Sequence, residues 1–113
     1  MIRKECPTYP ISIFMAGDVA AAVDYARQYC DQHGLCITVT PTSYIYTCGQ
    51  EAGFIVGLIN YPRFPSSPVE LWDTAEHLAA YLRERLYQDS YTIQAPDKTV
   101  WISFRHPTEA PHD

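Results

Sequence analysis

Positive charge is scarce in this sequence: eight Lys and Arg stand against thirteen Asp and Glu, a formal net charge of −5. There is no basic excess to neutralise phosphates or an anionic bilayer, so nucleic acid and membrane surfaces are excluded as expected partners. The acidic residues are spread along the chain rather than clustered, which also speaks against a DNA mimic. No apolar run approaches the roughly 20 residues needed to span a membrane, and no signal-peptide stretch follows the charged N-terminus. A cytoplasmic location is expected.

Metal and thiol chemistry also lack their usual patterns. Cys6, Cys30, Cys36 and Cys48 form no C-x-x-C pair, their spacing fits no zinc module, and H-E-x-x-H is absent. Four reduced thiols, no metal and no cofactor are expected. Cys48 beside Gly49 is the most reachable thiol, but its acidic neighbour Glu51 disfavours a thiolate nucleophile. His77, one turn from Asp73, reads as an exposed helix residue, because no cleft or nucleophile accompanies it. No residue is assigned a catalytic role.

What is present is apolar, at 47% of 113 residues, enough for one hydrophobic core. Residues 1–104 are expected to form a single α+β domain. Residues 105–113, with two prolines and no apolar periodicity, are expected to be a flexible tail. Pro10-Ile11-Ser12-Ile13-Phe14-Met15-Ala16-Gly17 and Phe54-Ile55-Val56-Gly57-Leu58-Ile59-Asn60-Tyr61 read as central strands, apolar enough to be covered on both faces. Asp18 is placed to cap a helix carrying Val19, Ala22, Val23, Ala26 and Cys30 on one stripe and stopped by Gly34. The alternating segment after Leu35 is interrupted by Pro41, which marks an edge strand or a turn between two short strands. Residues 48–53 read as a glycine-bounded hairpin loop.

A proline-rich connection, Tyr61-Pro62-Arg63-Phe64-Pro65, leads to Ser67, Pro68 and Glu70, a capping box with proline at the first helical position. The helix shows Leu71, Ala75, Leu78, Leu82 and Leu86 on one face and is expected to run to about Gln88. Residues 90–94 and 99–104 then form either a closing hairpin or one bent strand.

The order is βαββαβ, the split βαβ sandwich of ferredoxin-like domains: an antiparallel sheet with two helices on one face. That leaves the other face to be covered by a second copy of the chain, through residues such as Tyr46 and Trp101, or by the C-terminal segment. A homodimer is expected.

Families sharing this order set useful contrasts. An acylphosphatase would need an arginine where Met15-Ala16-Gly17-Asp18 stands, and Asp18 already occupies the helix N-terminus. Gly53-Phe54-Ile55-Val56 only faintly resembles an RNA-recognition motif, whose basic first position is Glu51 here. A regulatory domain of the ACT type is compatible in order alone.

Nine tyrosines are the unusual feature. Tyr44 and Tyr46 alternate onto one face of the second strand, and Tyr61 neighbours Arg63 and Phe64. Large, stiff, amphipathic rings are typical of interfaces, so these five residues are the expected partner-binding set. The leading expectation is a non-enzymatic interaction or regulatory module with a protein partner. Small, acidic, motif-free domains of this kind are common among phage and prophage accessory proteins acting on a host protein. The alternative is a small-molecule-binding domain or small enzyme. Its pocket would lie between the Gly17-Asp18 turn and the 61–65 loop, with Asp18, Asn60 and Arg63 as polar groups.

Overall fold

Alternation in the first strand decides which face becomes the core. The computed structural model describes residues 1–105. In β1 (Ile11–Ala16), Ile11, Ile13 and Met15 are fully buried while Ser12, Phe14 and Ala16 are half-buried on the other side. The same period places Phe54, Val56 and Leu58 of β3 (Gly49–Leu58) inward, with Glu51, Ile55 and Gly57 outward. These strands are therefore not apolar on both faces in equal measure. Two half-buried side chains, Phe14 and Ile55, gave the outer face its apolar look.

α1 (Val19–His33) packs on β2 (Thr38–Tyr46) and β3, and α2 (Pro68–Arg85) packs on β1 and β4 (Ser90–Gln94), so both helices lie on one face. Asp18 accepts a hydrogen bond from the Ala20 amide, and Gly34, left-handed at φ 67°, donates to the Cys30 carbonyl, so both expected caps of α1 are present. Its buried face is Ala22, Ala26 and Tyr29. Val23, expected on that stripe, is 37% exposed. Alanines let the helix approach the sheet, and Tyr29 fills the gap to Tyr81 of α2 in an edge-to-face contact at 4.9 Å. α2 buries Leu71, Ala75, Leu78 and Leu82 as expected, adds Trp72 and Ala79, and ends at Arg85, three residues short of the expected Gln88.

The sheet order is β2-β3-β1-β4-β5, with every pair antiparallel. The first four positions are the ferredoxin-like arrangement, and β5 (Thr99–Ser103) extends it at the β4 edge. Residues 90–103 are thus a hairpin, closed by the Ala95 amide donating to the Lys98 carbonyl at 2.8 Å. β2 runs unbroken through Pro41, which an edge strand tolerates because one side of its backbone has no ladder to feed. The expected 48–53 loop is mostly strand. Tyr46 pairs with Gly49 across a two-residue turn, and the long hairpin carries Tyr44 opposite Glu51. Cys36 is exposed, and Cys30 is half-buried. Among the described residues no helix is long and apolar enough to cross a membrane. Of the expected tail only Arg105 is described; residues 106–113 lie outside the described residues.

The Ser67–Glu70 capping box is complete, with the Ser67 hydroxyl accepting from the Glu70 amide and the Glu70 carboxylate from the Ser67 amide. These bonds hold the Glu70 carboxyl below its usual range. Ser67→Ala should cost about 1 kcal/mol of stability, measured by urea unfolding with an unchanged slope. Because the Glu70 pKa is lowered on folding, the carboxylate's part is present at neutral pH and fades as pH falls through the acid range.

Candidate active site

Four aromatic side chains converge on the outer face of the sheet because of register alone. Tyr44 and Tyr46 on β2 face the same side as Phe14 on β1, and Trp101 on β5 sits opposite Thr92, itself opposite Phe14. At the end of the sheet where β1 finishes, these rings surround an open cavity of about 680 Å³. That volume is in the range of small-molecule sites.

The floor is built by Tyr44. Its hydroxyl donates to the Phe54 carbonyl at 2.6 Å and accepts from the Met15 amide at 3.1 Å. Met15 and Phe54 are paired across β1 and β3, so the phenol stands in the ladder between two strands that are not its own. This is possible because residue 53 is glycine: a Cβ there would run into the Tyr44 ring and the Met15 carbonyl oxygen. Burial is the main cause that raises the Tyr44 pKa. The Glu51 carboxylate across the hairpin adds to it, and the Met15 amide opposes it. The phenol stays protonated and can donate.

One rim is the hairpin turn, where Cys48 adopts a left-handed φ of 62°. A non-glycine residue there costs about 1–2 kcal/mol, and the turn swings Thr47 and Cys48 over the cavity mouth. The opposite rim is the connection from α2 to β4. Tyr87 is left-handed at φ 55°, the Gln88 amide donates to the Arg83 carbonyl at 3.0 Å, and Arg83 Nη1 donates to the Gln88 carbonyl at 3.3 Å. The Arg83 guanidinium lies 3.8 Å over the Phe104 ring, and the Phe104 amide donates to the Asp89 backbone carbonyl at 2.8 Å. Arg105 Nε lies 3.9 Å from an Asp89 carboxylate oxygen.

Of the three charged groups lining the cavity, Asp89 and Arg105 oppose each other. Glu51 makes no ion pair among the described residues. No three His, Cys, Asp or Glu side chains of the described residues come together as metal ligands. The arrangement suits a flat ring system between aromatic walls and a positive charge near Glu51.

The residues singled out in the sequence fall at two ends of the sheet. Ala16 pairs with Gly53 and Ile11 with Leu58, so the Gly17-Asp18 turn and the 61–65 loop leave opposite ends, about 20 Å apart at about 3.3 Å per residue. Asp18, Asn60 and Arg63 do not converge. Asp18 caps α1, Arg63 is exposed, and the Asn60 side chain donates to Pro7 and accepts from the Ser66 amide. Tyr61 and Phe64 pack on each other at 5.7 Å, away from the cavity. Only Tyr44 and Tyr46 of the expected partner-binding set line it. His77 Nδ1 contacts the Asp73 backbone oxygen at 2.7 Å on an exposed surface, outside the cavity.

No family model and no curated protein matches the chain. Two solved structures share its fold. One is a phage SAM lyase in its apo state, with a TM-score of 0.69 and 14% identity over 91% of this chain and 95% of that one. The other is a phage SAM lyase in complex with S-methyl-5′-thioadenosine, with a TM-score of 0.61 and 15% identity over the same shares. The fold is theirs.

This overturns the expectation of a non-enzymatic module acting on a protein partner: the solved structures that match almost end to end are enzymes, and one of them holds a small molecule. The sequence misled because rings that line a concave site and rings that fill an interface are the same residue types.

Tyr44→Phe leaves the Met15 amide and the Phe54 carbonyl without their shared partner. A loss of about 1–3 kcal/mol is expected in urea unfolding, and an unchanged midpoint would show that the phenol does not hold the strands.

Proposed function

We propose that this chain is a small phage-type enzyme that cleaves S-adenosylmethionine as a lyase, using the cavity between Tyr44, Tyr46, Glu51 and Trp101. The observation that carries the reading is the end-to-end fold match to a phage SAM lyase in a chain whose outer sheet face is hollowed into an aromatic cavity. The small-molecule alternative drawn from the sequence is retained, with its site at the Gly17 end of the sheet and without the proline-rich loop.

The chemistry asks for what this cavity offers. S-methyl-5′-thioadenosine is S-adenosylmethionine without its four-carbon amino-acid arm, so the bond broken joins sulfur to that arm. Both electrons go to sulfur, which leaves as a neutral thioether and needs no proton donor. A lyase adds no water, so the carbon's new bond forms from an electron pair already within the arm. Catalysis then rests on holding the adenosyl group still and folding the arm toward the breaking bond. Tyr46, 48% exposed, and Trp101, 52% exposed, are rings left at the surface of the free chain that a stacked adenine would cover.

Incubation with S-adenosylmethionine should yield S-methyl-5′-thioadenosine, followed by liquid chromatography. Trp101→Ala should slow the release about tenfold or more, about 1.4 kcal/mol of transition-state stabilisation. A well-folded chain that releases none at high protein concentration would sink this reading.

A further inference from the structure

Glu51 is placed where a neutral ligand would have no use for it. It points from β3 to the aromatic side of the sheet, directly across the hairpin from Tyr44, and it lines the cavity. Asp89, the other carboxylate there, faces Arg105. The cavity therefore carries one uncompensated negative charge on its Tyr44 and Tyr46 side, with Trp101 lining the far side. Carboxylate and ring faces act in the same direction, because a ring presents its negative quadrupole to a cation.

Resting on the reading above, we infer that Glu51 and this aromatic floor sense the charge on the ligand's sulfur. The site grips a sulfonium and releases the thioether formed from it. S-adenosylmethionine carries a net charge of about +1 at neutral pH and S-methyl-5′-thioadenosine none, so bond breaking itself abolishes the attraction.

The test is calorimetric binding of three compounds that the chain cannot cleave. These are sinefungin, which places a protonated amine where the sulfonium stands, S-adenosylhomocysteine, with the same skeleton and a neutral sulfur, and S-methyl-5′-thioadenosine. Sinefungin should bind about tenfold more tightly than S-adenosylhomocysteine, the sum of a partly screened ion pair and a cation–ring contact. Glu51→Gln should bring the two within about threefold, chiefly by weakening sinefungin. On the unaltered protein, raising salt from about 0.05 to 0.5 M should narrow the ratio as well, which checks the charge effect without a substitution.

Equal affinities in the unaltered protein, or a ratio that survives both Glu51→Gln and high salt, overturn the charge-sensing role while leaving an adenosyl site in place. Failure of all three compounds to bind overturns that site and the inference together.

Discussion

At the Met15–Phe54 pair a side chain enters the ladder of the central strands. The Tyr44 hydroxyl takes one hydrogen bond from β1 and gives one to β3, so the edge strand β2 is tied across β3 to the middle of the sheet. Two local features go with this bridge. Residue 53 lacks a side chain, and the Tyr44 ring lies over it on the outer face. The pairing of β1 with β3 continues just beyond, where the Gly17 amide donates to the Ala52 carbonyl at 3.1 Å. One phenol bonds an amide of β1 and a carbonyl of β3, so the floor of the cavity is fixed to the sheet.

Much of the frame was legible because local rules and tertiary packing agree. Asp18 and Gly34 bound α1, Ser67 and Glu70 start α2, and the proline in β2 sends that strand to an edge. The hairpin was misread because Gly49 and Gly53 look like loop glycines. They are strand glycines, each making room for a tyrosine of the paired strand that lies over it, Tyr46 over Gly49 and Tyr44 over Gly53. Glycine inside a strand often marks such a close approach, and pairing it with the alternating tyrosines would have extended β3.

The site was half legible. Tyr44 and Tyr46 were singled out by their period as partner-binding residues and line the cavity, but Phe14 and Trp101, which line it with them, reach it only through the pairing of β1 with β4 and β4 with β5. Strand pairing at that sequence distance leaves no mark in a local pattern. The pocket expected between Gly17-Asp18 and the 61–65 loop failed for a related reason. The antiparallel register of β1 and β3 sends the two segments out of opposite ends of the sheet.

Acidic composition has a second consequence once the site is placed. A net charge of −5 argues against phosphate-rich partners, and the same field draws a small cation toward the surface. The diffuse field acts on approach and fades with salt, whereas Glu51 acts only when the ligand is within the cavity. Composition alone cannot separate the two, since any acidic residue contributes to the first. The second needs a carboxylate among the rings without its own cation, and among the carboxylates lining this cavity Glu51 meets that condition while Asp89, 3.9 Å from Arg105, does not.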